Sequence, residues 1–314
     1  MKAVTIVDGA LQWLDAPDPQ PGEGELLVSV RAAGLNGADM MQRRGLYPAP
    51  PGCPQDIPGM EFAGEVVGVG PGTSRFAEGD RVMSICGGGG QAELVVVPES
   101  TVLPVPAVTP WDQAGGFPEV FSTAHDALFT QAHLWAGERV LISGAAGGVG
   151  TAAVQIAHAA GAHVVASVRS EERHQQVKGL GASEVIQPDQ VAEHGPYDVS
   201  LELVGAPGVT AVLSSLATGA RIVVIGVGGG AKVEFNLLAL MGSRATIGGS
   251  TLRSRSTYEK SAVARGVEEQ VLPLLADGTI TVPVAERFPM AKAGRAYDRF
   301  TSGGKFGKIV LVND

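Results

Sequence analysis

The sequence is poor in the residues that build metal sites and disulfide scaffolds. Its 314 residues include two cysteines, Cys53 and Cys86, and six histidines, none of them before His125. Two cysteines make neither a disulfide framework nor a metal knuckle, and a reducing, cytoplasmic compartment is expected. Neither cysteine has a base nearby in sequence to mark it as an activated nucleophile. The histidines are scattered without metal or triad spacing, so surface or packing roles are expected. No Lys/Arg cluster stands out against a formal net charge of −9. That argues against nucleic acid or an anionic membrane as a partner. The opening MKAVTIVDGALQW carries Asp8 and no apolar run, so no signal peptide is expected. Internal repeats and low-complexity linkers are absent too. Charge itself is missing from Val140 to Val168, a length that could span a membrane. GAAGGVG, Gly161, His158 and His163 interrupt that run, so strand, glycine turn, buried helix and second strand are expected instead.

What is present is apolar residue and glycine. Hydrophobic residues make up 45%, enough for a packed core in one large or two ordinary domains. Glycine occurs 44 times, well above the usual share, and signals tight turns and close backbone approaches. The first hundred residues read as β-rich: ELLVSVRAAGLN, GMEFAGEVVGVGPG, DRVMSI and QAELVVVPES are strand-like runs bounded by glycine. YPAPPGCPQDIPG is dense in proline and reads as extended loop. EVFSTAHDALFTQA (119–132) has helical spacing. From 139 short apolar strands alternate with helical segments, the pattern of βαβ units on a parallel sheet. ATIGGSTL supplies a candidate last strand. YEKSAVARGVEEQVLPLLADG reads as helix, and the tail as strand, helix, strand.

Ser143 to Gly150 lies where a strand becomes a helix. Small residues there let the backbone approach a pyrophosphate, with helix amides and the positive dipole end supplying the attraction. Against the G-x-G-x-x-G pattern the turn reads Ala145-x-Gly147-x-x-Gly150, so the first glycine is replaced. A ligand-free strand–helix turn is the alternative. The second strand ends about 20 residues later, as the dinucleotide fingerprint requires. An acid at that strand end would bind the ribose hydroxyls and repel a 2′-phosphate. This chain offers Ser167, Val168, Arg169, Ser170 and Arg173 instead. The missing acid and the two arginines point to NADPH over NADH. The alternative is a solvated helix start, for which SEER is a near-match to a capping box.

The whole chain resembles the medium-chain dehydrogenase/reductase superfamily, in its zinc-free quinone oxidoreductase branch. AAGLNGADMMQRRGLYPAPPG, GMEFAGEVVGVG, GGGGQAELVVVP, AAGGVGTAAVQIA and GKIVL carry the resemblance. GFPEVFSTAHDAL and STLRSRSTYEK are similar to the tumour-suppressor-induced quinone oxidoreductase subgroup. The resemblance implies an α/β protein with a GroES-like β-rich lobe and a doubly wound Rossmann lobe. The expected division is 1–117 for the first part of the catalytic domain, 118–255 for the Rossmann domain, and 256–314 for the return. It also implies a homodimer joined through the Rossmann sheet, with ATIGGST as edge strand. Zinc-dependent relatives carry a ligand histidine where this chain has Met60, and the cysteine-rich structural loop is absent, so no metal site is expected.

Without a Lewis acid, hydride transfer to an easily reduced conjugated acceptor is the chemistry in reach, and positioning is the main task. The resemblance sets Asn36 and Tyr47 at the nicotinamide end, Tyr47 to hydrogen-bond the acceptor or give a proton, Asn36 to orient ribose or acceptor. The alternatives are that Asn36 stabilises its own turn and Tyr47 anchors a loop. Thr123, Ala146, Gly147, Gly148, Val149, Leu203, Val204, Gly205, Gly226, Val227, Leu252, Arg253 and Lys308 complete the expected cofactor set, each with a structural alternative. Glu119 follows Pro118 at a helix start, where a carboxylate suits the dipole. Relatives often place a tyrosine near the 2′-phosphate where this chain has Gln187 and Pro188. The expected function is NADPH-dependent reduction of a small quinone or similar conjugated carbonyl. An enoyl or alkenal double-bond reductase and a non-catalytic NADPH-binding sensor are the alternatives. Arg43, Arg44, Arg253 and Arg255 are the candidates for a basic path to an acyl-carrier arm.

Overall fold

The computed structural model describes residues 1–313. The chain divides into two compact units, residues 1–122 with 252–314, and residues 123–251.

The first unit is built on a seven-membered sheet. Its central strand, Glu25–Gly34, buries alternate residues, as a half-buried strand should. Glu61–Val69 and Leu94–Pro98 pair with it antiparallel, and Arg81–Ile85 and Val102–Pro104 extend the sheet on one side. On the other side Lys308–Val312 pairs antiparallel with Glu25–Gly34 and parallel with Val284–Pro289. The C-terminal segment therefore completes a sheet begun near residue 25. Leu26, Val28, Val30, Phe62, Val82, Ile309 and Leu311 form its core with Tyr297 of the helix Ala293–Thr301. A two-stranded hairpin, Lys2–Val7 with Ala10–Asp15, precedes it.

The second unit is a six-stranded, wholly parallel sheet in the spatial order Glu184–Ile186, His163–Ser167, Arg139–Ser143, Tyr197–Glu202, Leu216–Val224, Thr246–Gly249. Numbered along the chain this is 3-2-1-4-5-6, the Rossmann order, and it reverses between Arg139–Ser143 and Tyr197–Glu202. Ligands of such sheets bind beyond the strand carboxyl ends at that switch point. The segment expected to be helical over 119–132 is an α-helix over Pro118–His125 and a π-helix over Asp126–Gln131. The sequence GVTAVLSSLAT (208–218) is helix-like throughout by its spacing, but the helix Ala206–Val212 ends at Val212 and the next strand begins at Leu216. No described helix is long and apolar enough to cross a membrane.

Candidate functional site

In the second unit the glycine turn follows the first strand of the sheet. Gly144 has φ +61°, in the left-handed region glycine accepts without strain. The helix Gly148–Ala159 starts at Gly147 with no side-chain cap, so its first-turn N–H groups are open to an outside acceptor. A Cβ on Gly150 would stand 2.6 Å from Gly144 O and from Ala145 Cα. That glycine is needed for the helix to close on its own turn. Ala146, Gly147, Gly148 and Val149 are all half-buried. An uncapped helix start behind a glycine cradle fits a pyrophosphate.

Two neighbouring loops end beside this turn. Ser143 Oγ accepts from Leu203 N at 2.8 Å and donates to Leu201 O at 3.3 Å, tying the first strand to the fourth at the switch point. Glu202, fully buried, accepts from the amides of Val204 at 2.5 Å and Gly205 at 2.7 Å. Its backbone carbonyl accepts from Ile225 N and Gly226 N, which secures the next loop. Ser143 and Glu202 were not singled out in the sequence. The signal available was a polar residue closing each of two apolar strands. Leu203, Val204 and Gly226 are half-buried and Val227 is exposed.

At the end of His163–Ser167 the side chains separate by role. Ser167 is buried, while Arg169 is exposed and has no hydrogen-bond or ion-pair partner among the described residues. Ser170 opens the short 3-10 turn Glu171–Arg173 without a side-chain cap, so the capping-box alternative is not formed. Arg173 donates to Gln176 Oε1 at 3.0 Å and stays half-buried. Glu171 accepts from Gln187 Nε2 at 3.4 Å. Pro188 opens the next 3-10 helix. Thr123 is buried on Pro118–His125.

The first unit holds a buried polar cluster. Lys308 and Glu61 are 2% and 0% exposed and pair at 2.6 Å. Lys308 Nζ also donates to Leu35 O and Asn36 Oδ1, both at 2.8 Å. Asn36 Nδ2 donates to Glu61 Oε1 at 2.9 Å, and the second carboxylate oxygen of Glu61 accepts from Glu119 N at 2.9 Å. Both ends of the Asn36 carboxamide are thus spent inside the unit, the geometry of a residue stabilising its own turn. The ammonium of Lys308 is spent likewise. Asp39, fully buried, accepts from Asn36 N at 2.8 Å and Gly59 N at 3.2 Å. Burial pushes its carboxyl up to about 6, against the pull of those amides and of Lys308 and Arg253. Glu61 and Asp39 also escaped the sequence reading, though Asn36-x-x-Asp39 has helix-start spacing.

Tyr47 lies on the loop before the proline-rich segment. Its ring is half-buried, and its hydroxyl has no partner among the described residues. By contrast, the Tyr197 and Tyr297 hydroxyls donate to Val191 O and Gln91 Oε1. Arg253 is 3% exposed and Leu252 7%. Arg253 was expected at a cofactor and on a basic path. Its guanidinium is instead spent on three oxygens of the unit, those of Gly87, Tyr47 and Gln42. Arg43 is held by Gly9 O. Burial pushes the Cys86 thiol up to about 12, which keeps it protonated. Among the described residues no group of three His, Cys, Asp or Glu is arranged to hold a metal.

Comparison with known proteins decides the lineage. Residues 22–107 match the alcohol dehydrogenase GroES-like domain and residues 148–268 the zinc-binding dehydrogenase family. Quinone oxidoreductase of Rattus norvegicus is 32% identical over 95% of this chain and 92% of its own. The chain belongs to the quinone oxidoreductase branch of the medium-chain dehydrogenase/reductase superfamily. Its first unit contains the GroES-like lobe of that superfamily, and the chain is an NAD(P)H oxidoreductase. Within the superfamily, a mycobacterial protein solved in complex with NADPH is similar over 100% of both chains, with TM-score 0.85 and 27% identity. A polyketide synthase of Streptomyces halstedii is 32% identical over 96% of this chain, which spans 5% of that protein.

Proposed function

We propose that this member of the branch is an NADPH-dependent reductase of quinones or similar conjugated carbonyls. The observation that carries the cofactor choice is Arg169, exposed and without a partner among the described residues, at a strand end that has no acid. In an NADH enzyme that position would be an acid. The open first-turn amides of Gly148–Ala159 bind the pyrophosphate. Ala146, Gly147, Gly148 and Val149 allow the close approach. Arg169, Ser170 and Arg173 pair with the 2′-phosphate, while Gln187 holds the Glu171 carboxylate to one side. Ser167, Thr123, Leu203, Val204, Gly205, Gly226 and Val227 line the rest of the crevice, their loops fixed by Ser143 and Glu202.

Bound NADPH supplies a hydride. The chain's part is to bind, to orient and to keep water from the acceptor. Tyr47 offers its free hydroxyl to the acceptor carbonyl. Desolvation raises its phenol above the ordinary value, with Glu119 adding to the rise and Arg253 opposing it. A neutral phenol is then the form that donates. Asn36, locked by Lys308 and Glu61, fixes the loop entry.

Reduction of an enoyl or alkenal double bond is the second reading, favoured by the similarity to a polyketide synthase. A panel of quinones, enones and enoyl thioesters with NADPH separates the two. The proposal expects quinone-dependent loss of reduced-nicotinamide absorbance. Turnover of enoyl thioesters alone would favour the rival, and no turnover with any would overturn both. The protein is also proposed to be cytoplasmic and homodimeric. Leu237, Leu238 and Met241 are exposed on Leu237–Ser243, beside the edge strand Thr246–Gly249, and suit a second copy. A monomer mass in sedimentation would remove that part.

A further inference from the structure

Tyr47 sits in a segment with little regular structure of its own. Between the helix Gly37–Arg43 and the strand Glu61–Val69 the chain runs through Pro48, Pro50, Pro51, Pro54 and Pro58. Proline stiffens such a loop and removes amide donors, so the loop needs anchoring from outside. Arg253 supplies an anchor from far along the chain. Its Nε donates to Gly87 O at 2.8 Å, one terminal nitrogen donates to Tyr47 O at 3.1 Å, and the other to Gln42 Oε1 at 2.6 Å. The guanidinium carbon lies 5.3 Å from the centroid of the Tyr47 ring. One side chain thus grips Tyr47 by main chain and by ring, and ties it to the helix and to the four-glycine loop. A planar fork of donors reaches these three separated acceptors from one side chain. Nothing in this arrangement holds the Tyr47 hydroxyl.

We infer that Arg253 is a positioning residue for Tyr47: it fixes backbone and ring so that the free hydroxyl is presented to the acceptor, and it does not bind the cofactor. The inference rests on the acceptor-binding role of Tyr47 proposed above. Arg253→Gln, Arg253→Lys, Tyr47→Phe and the Arg253→Gln/Tyr47→Phe pair test it, with NADPH and 1,2-naphthoquinone as probes. Arg253→Gln should lower kcat/KM for the quinone by roughly tenfold or more while NADPH affinity stays within about twofold. Arg253→Lys, which keeps the charge and fewer hydrogen bonds, should fall between. In the Tyr47→Phe background Arg253→Gln should cost little more, because the two changes remove one device. Weakened NADPH binding would make Arg253 a cofactor ligand and overturn the inference. So would an equal loss of activity with and without the Tyr47 hydroxyl, which marks a general structural role.

One readout does not need turnover. The phenolate absorbance of Tyr47, taken as parent minus Tyr47→Phe, should appear at higher pH in Arg253→Gln, since the cation beside the ring is gone. An unchanged titration overturns the inference even if no quinone is reduced. A parent that turns over no quinone while that titration moves would overturn only the proposed activity. If Arg253→Gln fails to fold, Arg253→Lys carries the kinetic and NADPH-binding comparisons, and Arg253→Met the titration.

Discussion

Arg169 and Lys308 are both cations, and their surroundings give them different tasks. Arg169 is exposed and has no partner among the described residues, so it is available to an anion from outside. Replacing Arg169 or Arg173 by alanine should weaken NADPH binding roughly tenfold or more and leave NADH nearly unaffected, the loss of a charge-assisted phosphate contact. Fluorescence titration with each cofactor checks this. Lys308 is sealed against Glu61, and its removal leaves a buried carboxylate without a counter-charge. Lys308→Met should cost about 3–5 kcal/mol in urea unfolding. Asp39 adds a pH effect. Its folded value, about 6, lies above the free value of 3.8, so the fold prefers the protonated form. That contribution is full below 3.8 and is lost as pH rises through about 6. In Asp39→Asn, less stable overall because an amide replaces an acceptor, the urea midpoint should vary less across that window. The strand-end arginines were legible because their meaning depends on local spacing. Lys308 and Arg253 were not. Their partners lie 247 residues away at Glu61 and 206 away at Tyr47, and no local pattern reports such contacts.

At the scale of elements, the glycine turn and its helix act as one piece. Gly150→Ala would press a methyl group onto the backbone at Gly144 and Ala145. Overpacking of this kind costs about 1–3 kcal/mol. A shifted turn should also weaken NADPH binding, whereas Gly137→Ala, where a Cβ meets nothing, should strain only its own backbone. Parallel melting and NADPH titration distinguish the two. The alternation of strand and helix from 139 onward was readable because each apolar run ends in glycine or a polar residue. The hairpin Lys2–Val7 with Ala10–Asp15 was passed over, although Asp8-Gly9, both at positive φ, is a strong hairpin signal. The segment expected as helix over 258–278 is two helices, Thr257–Gln270 and Leu272–Ala276. Pro273 opens the second, and proline inside an apolar periodic run marks a break.

At the scale of the whole molecule, a β-rich unit assembled from both ends of the sequence and a doubly wound unit between them account for every long apolar run. The return of the tail to the first sheet was suggested by its strand–helix–strand pattern and is made by Lys308–Val312 beside Glu25–Gly34. The lineage narrows the chemistry to NAD(P)H oxidoreduction, and the acid-free strand end carries the proposed choice of NADPH. That choice is the centre of the account, and direct titration of the purified chain with NADPH and NADH tests it most closely. NADPH should bind at least about tenfold tighter than NADH, the worth of a charge-assisted phosphate contact. Equal affinity for the two, or preference for NADH, would contradict it.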